Sequence, residues 1–350
     1  MSSVLELMHY AAPYEGNFLR SIRALAQALR ERGMQTVLVF PEKARERAWA
    51  QRLGTEYPVY FLPRGTAAAA RLLRAVCRKH DVVSVHSHFV DSHFYLPLRL
   101  ALFGKAVPHI YHAHSLPHFS RGSMALRRQL VHASRVLCVS RAVQSAYTAA
   151  GFSDCVLVPN GVDFGRLRHT QPLACRHPFV LMFGYDFSIK GIDVALDAFA
   201  RYDPAHRFTL GICVAGHYKQ AHAALCARFG EVPAWVELLP PREDIGAYYG
   251  AADVFLSASR TEGMPYAVSE AAYCGLPLAL SDIAPHRELS LPRAEWFPQP
   301  DAAALFDAVC RAAETGGMPE NTAYAAQRFS LDAWTQSVLP QLFPKKERSV

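Results

Sequence analysis

A chain of 350 residues with 51% hydrophobic and 19% charged residues has the size and apolar content for two globular domains, and it is neither disordered nor fibrous. No apolar run reaches the roughly 20 residues a bilayer-spanning helix needs, the start MSSVLELMHYAAP lacks a secretory pattern, and the eight cysteines include no C-x-x-C pair. A cytoplasmic protein with reduced thiols is therefore expected. Through Thr170 there are 22 Lys and Arg against 10 Asp and Glu, and beyond it 15 against 20. A basic first half beside a mildly acidic second half points to one domain facing an anionic partner. With no zinc-finger spacing, RNA-recognition signature or helix-turn-helix context, nucleic acid is the weaker choice and a phospholipid surface the stronger.

The first half alternates strands and helices. Residues 4–10 (VLELMHY) read as a strand. A helix follows from Asn17 to Arg32, with Phe18, Ile22, Leu25 and Leu29 on one face and Gly33 as its stop. MQTVLVF, VVSVHSHF (82–89), HIYHAHS (109–115), VLCVS and CVLVP are further strands, with a helical LPLRLALFG between the third and fourth. The second half repeats the pattern: FVLMFGY, a helix from Ile192 to Tyr202, then RFTLGICVAG, WVELLP and ADVFLS separated by helical stretches. Such alternation predicts two doubly wound α/β domains with mainly parallel sheets, the carboxyl ends of both facing a cleft. The expected division is 1–167, 168–328, and a terminal helix and tail at 329–350, with the polar GRLRHTQPLACR near the boundary.

Residues 259–282, SRTEGMPYAVSEAAYCGLPLALSD, hold the strongest signal. A strand stops, a tight turn carries Glu262, and Pro265 fits the first turn of a helix through Glu270 that Gly275 and Pro277 end. A helix start of this kind favours an anionic group such as a phosphate at Gly263, Met264, Pro265 and Tyr266. Seven residues separate Glu262 from Glu270, so the two carboxylates reach different parts of one ligand, and carboxylates accept from the hydroxyls of sugars and riboses. The bland alternative makes Glu262 a helix cap and Glu270 a solvated side chain. Cys274, beside the helix end, reads as packing. Lys190 follows a strand and a short loop and precedes Gly191 and a helix, a place to meet a diphosphate; otherwise it is an ordinary exposed lysine.

His86 and His88, like His112 and His114, alternate along a strand and each pair shares a face. No Cys or carboxylate completes either as a metal set, and no Asp-x-Asp triplet occurs, so neither metal nor cofactor is expected. Arg71, Arg74 and Arg78 lie on one helical face, and Arg127, Arg128 and Arg135 follow on a second basic helix. These are either a solvated face or a docking surface for anionic lipid.

Several segments, in order, resemble the family 4 glycosyltransferases, retaining enzymes of the GT-B fold. They are RVLCVSRAVQSAYTAAGF (135–152), VLVPNGVDFGRL (156–167), FGYDFSIKGIDVALDAF (183–199), AYYGAADVFLSAS (247–259) and the Glu-x7-Glu segment from Glu262. The resemblance implies an acceptor-side first domain, a donor-binding second domain and a terminal helix that returns to the first. It implies metal-independent transfer from a nucleotide diphosphate-sugar, UDP-sugar favoured and GDP-sugar open, to a lipid-linked or surface-polysaccharide acceptor. With the basic first half, a peripheral place at the inner face of the plasma membrane is expected. By the same resemblance the loop at Gly184 and Lys190 binds the donor phosphates, Glu262 the sugar hydroxyls, Glu270 the ribose, and Met264 to Tyr266 the departing diphosphate. His114 (and less strongly His88) touches the donor, and Gly16 and Asn17 line the acceptor side. The family has an arginine after the loop glycine where this chain has Tyr185, with Arg260 and Arg287 as substitutes. That departure leaves two other readings open, a nucleotide-sugar epimerase and a catalytically silent sugar-nucleotide-binding protein.

Overall fold

The computed structural model describes residues 1–89, 92–117, 130, 132–168, 171, 173–184, 186–214, 217–240, 242 and 244–344. It divides into two compact units, Met1–Gly161 together with the segment from Leu331, and Val162–Ser330. The expected calls at Tyr185, Arg127 and Arg128 lie outside the described residues.

In the first unit β1 (Ser3–Met8), β2 (Gln35–Pro41), β3 (Val59–Leu62), β4 (Val82–His88), β5 (His109–Ala113), β6 (Arg135–Cys138) and β7 (Cys155–Leu157) form one sheet ordered β3-β2-β1-β4-β5-β6-β7. Every pair is parallel, so each connection must cross over, and α1 (Gly16–Glu31), α2 (Ala48–Glu56), α3 (Thr66–Lys79), α4 (Ser92–Leu102) and α5 (Arg141–Ala149) do so. Helix α1 buries the predicted face of Phe18, Ile22, Leu25 and Leu29. It stops in a left-handed turn: Gly33 has φ +73°, its N–H donates to Arg30 O at 2.9 Å and that of Met34 to Leu29 O at 3.0 Å.

The second unit repeats the plan with β8 (Phe179–Phe183), β9 (Thr209–Cys213), β10 (Val236–Leu239), β11 (Val254–Ser257), β12 (Leu278–Ser281) and β13 (Glu295–Phe297), ordered β10-β9-β8-β11-β12-β13 and all parallel. Helices α6 (Ile192–Tyr202), α7 (Tyr218–Phe229), α8 (Gly246–Ala251), α9 (Tyr266–Tyr273), α10 (Ala284–Glu288), α11 (Ala302–Thr315) and α12 (Pro319–Arg328) accompany them. Val180, Ile212, Val254 and Phe297 of the sheet pack with Leu196 and Phe199 of α6 and Leu305 and Val309 of α11. Strands β3, β12 and β13 were not among the expected elements.

The units divide at Gly161/Val162, six residues before the expected 167/168, and side chains explain the shift. Phe164 stacks on Tyr273 with ring centroids 4.1 Å apart, and Arg168 donates from Nε and Nη2 to the Tyr273 hydroxyl at 3.0 and 2.8 Å. Residues 162–168 thus belong to the second core. On the other side Gly161 O accepts from Ser21 Oγ at 3.1 Å, and a Cβ on Gly161 would stand 2.6 Å from Cβ of Trp334.

Trp334 lies in the terminal helix Leu331–Val338, which a 3-10 turn at Leu339–Leu342 follows. Trp334, Val338, Leu339 and Leu342 are buried in the same cluster as Phe18, Ile22 and Leu25, and Leu342 O accepts from Ser84 Oγ at 2.7 Å. The tail is therefore part of the first unit's core. Trp334→Ala removes a buried aromatic there and should cost about 3–5 kcal/mol. Urea unfolding followed by hydrogen exchange of β1 and β4 measures it; unchanged protection in those strands would show that the tail only rests on the surface.

Candidate functional site

In a doubly wound sheet, ligands bind where neighbouring strands send their connections in opposite directions. In the second unit that place lies beyond β8 and β11, which pair with each other while their chains continue to β9 and β12. The two loops that meet there are 184–191 and 258–265.

Two glycines allow the meeting. Gly191 has φ +63°, and a Cβ on it would stand 1.9 Å from Ala258 O, so only glycine fits between the first loop and the end of β11. A Cβ on Gly184 would stand 2.5 Å from Cγ of Lys190, so the lysine stem lies directly over the glycine. Arg260 ties the loops together. Its guanidinium meets Asp193 in a two-pronged pair at 2.8 and 2.9 Å and donates to Ser188 O, while its backbone N–H donates to Ile189 O at 2.9 Å. Arg287 is likewise committed, paired with Asp282 at 2.7 and 2.9 Å and set 3.8 Å over the Trp296 ring. Both arginines, the expected substitutes for the missing loop arginine, are thus paired with an aspartate.

The loops bring Lys190 and Glu262 together. Lys190 Nζ donates to Glu262 Oε1 at 2.6 Å, and Ser259 Oγ donates to the same oxygen at 2.7 Å. Oε2 of Glu262 has no partner among the described residues. Gly263, Met264 and Pro265 complete the turn, with Met264 and Pro265 buried. Helix α9 starts at Tyr266 with no side-chain cap, one residue later than the sequence suggests. Beneath the pair, His286 is fully buried between Ser257 Oγ at 3.2 Å and Ser281 O at 2.9 Å. Burial lowers its pKa, while the Ser281 carbonyl and Glu262 oppose that shift and Lys190 adds to it.

Glu270 is not the solvated residue of the bland alternative. It is 3% exposed; its Oε2 accepts from the Tyr249 hydroxyl at 2.6 Å, and Arg166 Nη1 lies 3.9 Å from Oε1. Burial, then Glu270, hold the Tyr249 phenol well above its ordinary range, so it stays a donor. Cys274 nearby is pushed up to about 12 by burial and by Glu270, an inert thiol. Gly191, Arg166, Tyr249 and His286 went unread in the sequence. Gly191 alone had a signal, as the glycine after a loop lysine; the others act through contacts between distant segments.

In the first unit Gly16 opens α1 with φ +61°, a Cβ there standing 3.2 Å from Tyr10 Oη. The Tyr10 hydroxyl donates to Tyr14 O at 3.0 Å. Asn17 is buried at 7% exposure, and its carbonyl accepts from Ser21 Oγ at 3.1 Å. His114 is held inward, its Nε2 3.0 Å from His88 Nδ1 and its ring stacked on Phe89 at 4.3 Å. Burial and the neighbouring His86 bring its pKa down to about 3, against a hydrogen bond with Asn160. Burial and His86 thus favour the neutral form of the His114 ring. The two histidine pairs converge, and the carboxylate that the sequence reading found missing is Glu6 of β1, facing both His86 and His88.

Arg71, Arg74 and Arg78 are exposed on α3 as expected. Arg74 Nη2 also donates to Leu100 O at 2.6 Å, tying α3 to the end of α4. Beside it Leu96, Leu100 and Phe103 are 41%, 43% and 86% exposed, an apolar ridge at helical spacing that the sequence reading did not pick out.

Similarity to known proteins agrees with this geometry. Residues 20–166 match Glycosyltransferase Family 4 and residues 177–315 match Glycosyl transferases group 1. No curated protein matches the chain in sequence. Among solved structures, Anabaena HepE in complex with UDP-glucose is 19% identical, with a TM-score of 0.77 over 97% of this chain and 99% of that one. Sucrose-phosphate synthase from Thermosynechococcus elongatus is 17% identical, with a TM-score of 0.78 over 97% and 98%. The lipopolysaccharide outer core galactosyltransferase WaaB is 16% identical, with a TM-score of 0.68 over 98% and 100%. The architecture is thus GT-B, two Rossmann-like α/β domains with parallel sheets. The chain itself belongs to the family 4 and group 1 glycosyltransferases.

Gly191→Ala should lower the stability of the second unit by about 1–3 kcal/mol, because the methyl group has nowhere to go. Chemical denaturation reads this directly; a variant as stable as the parent would mean that the 184–191 loop does not rest against β11.

Proposed function

We propose that the protein is a retaining glycosyltransferase that moves a sugar from a nucleotide diphosphate donor, UDP-sugar first, to a lipid-linked or surface-polysaccharide acceptor. The observation that carries this reading is the Lys190–Glu262 pair, 2.6 Å apart, between the loops that follow β8 and β11. Lysine has three N–H donors and this contact uses one, so two remain for diphosphate oxygens. Oε2 of Glu262 is placed to accept from a donor-sugar hydroxyl, and Glu270, oriented by Tyr249, from the ribose. The positive end of α9 adds to the field on the departing diphosphate. These groups neutralise the leaving group without a metal ion. Retention follows front-face attack: the acceptor oxygen bonds to the anomeric carbon on the side the diphosphate leaves, and a leaving phosphate oxygen takes the acceptor's proton. The bound UDP-glucose of HepE supports the donor class, and WaaB's lipopolysaccharide substrate the acceptor class.

The Lys190→Ala variant should keep its fold and lose about 10²–10³ in turnover, the usual effect of removing one preorganised electrostatic contact. Transfer and donor hydrolysis are assayed with UDP- and GDP-sugars in the presence of EDTA. Parent-like rates in the variant would remove Lys190 from the phosphate site. UDP binding by the parent without turnover of any donor would favour a silent binding protein.

No helix among the described residues is long and apolar enough to cross a membrane. We place the protein at an anionic membrane surface through Arg71, Arg74 and Arg78, with Leu96, Leu100 and Phe103 entering the headgroup layer. Each basic residue near such a surface contributes roughly 1 kcal/mol. Flotation should need anionic vesicles and weaken with salt, as the Debye length falls from about 10 Å at 0.1 M to about 3 Å at 1 M. Reversing the three arginines to Glu, or Phe103→Asp, should release the protein while UDP binding stays unchanged. Equal flotation on neutral vesicles, or none, rules the docking out.

A further inference from the structure

Five ionisable side chains lie on one face of the first sheet, beneath α1 and the terminal helix. Glu6 of β1 stands opposite His86 of β4, and His88 opposite His112 of β5. Alternation along each strand brings all four to the same face, and His114 follows just past the end of β5. Glu6, His86, His88 and His112 are each 0% exposed. A buried carboxylate is stable only when paired, hydrogen-bonded or bound to a metal.

The geometry points to a zinc site, structural in role, with His86, His88 and His112 as imidazole ligands and Glu6 beside them. Oε2 of Glu6 lies 3.1 Å from His86 Nδ1 and 3.0 Å from His88 Nε2, and those two nitrogens are 3.2 Å apart. Tetrahedral zinc with bonds of about 2.0–2.1 Å holds its ligand atoms about 3.3 Å from one another, so this triangle has the dimensions of three corners of such a site. His112 adds a third imidazole: each of the three histidines offers a nitrogen within 4.8 Å of those of the other two. The donors are nitrogen and oxygen with no sulfur, a set that suits zinc among the common divalent ions.

Hydrogen bonds run through the whole cluster. Glu6 takes one proton from His86 Nδ1 and one from His88 Nε2. His86 Nε2 then accepts from His112 Nδ1 at 3.3 Å, and His88 Nδ1 from His114 Nε2 at 3.0 Å. The chain ends at His112, whose buried ring hydrogen-bonds the backbone of Val158. Phe18 packs edge-on against His88 at 5.0 Å and Trp334 lies along His112 at 6.3 Å, an aromatic shell that would keep a bound ion from exchanging.

The test uses the full untagged chain, purified from zinc-supplemented cells, exchanged into metal-free buffer and analysed by inductively coupled plasma mass spectrometry. Stoichiometric zinc is expected. Protein from cobalt-supplemented cells should show the visible d–d bands of a tetrahedral site, without the near-ultraviolet thiolate bands that any of the eight cysteines would produce. His112→Gln should lower the metal content and the unfolding temperature together. Folded parent protein carrying only traces of metal overturns the inference and leaves a hydrogen-bonded network. Thiolate bands in the cobalt form, or full zinc retention by a folded His86→Gln variant, place the metal elsewhere and overturn it equally. Should the variants fail to fold, the metal content and cobalt spectrum of the parent decide alone.

Discussion

A methyl group on residue 191 would stand 1.9 Å from the carbonyl oxygen of Ala258, and the donor-side residues of the second unit depend on its absence. With glycine there, the loop after β8 closes onto the end of β11. That closure sets Lys190 over Gly184 and against Glu262, and it lets Arg260 reach Asp193 and Ser188. The parallel sheet supplies the rest, because parallel pairing sends every connection across a face and gathers the loops that follow the strands at one edge. A cation and an anion meet there from segments 72 residues apart. Each holds the other in place.

The two glutamates of the signature, though eight positions apart, work in unlike surroundings. Glu262 sits in a turn, shares one oxygen between a lysine and a serine and keeps the other open. Glu270 is enclosed, fixed by a buried phenol and approached by Arg166. A carboxylate in the first setting can shift, whereas one in the second cannot move without leaving Tyr249 unpaired inside the core.

The alternation of apolar runs and amphipathic helices made both α/β units readable, since strands such as FVLMF and helices such as Asn17–Arg32 carry long, regular patterns. Strands β3, β12 and β13 escaped notice, although β6, β7, β10 and β11, no longer than four residues, were legible from their apolar runs. The turn with Glu262 and the loop with Lys190 were legible as local chemistry. Glu6 beside two histidines, Tyr249 on Glu270 and Arg260 on Asp193 were not, since these are products of strand register and crossover that no window of sequence contains. The boundary was misplaced for the same reason. A polar, proline-containing link looks like a linker, yet Phe164 and Arg168 are fastened to Tyr273.

The placement of Trp334, Val338 and Leu342 in the first unit's core bears on how the molecule is made. The second unit is a continuous stretch and holds every side chain of its own core once Ser330 has been synthesised. The first unit has its sheet early but lacks the aromatic and aliphatic groups that cover α1 until the end of the chain has left the ribosome. Domains usually complete themselves in the order they emerge; here the part synthesised first is the last to be finished.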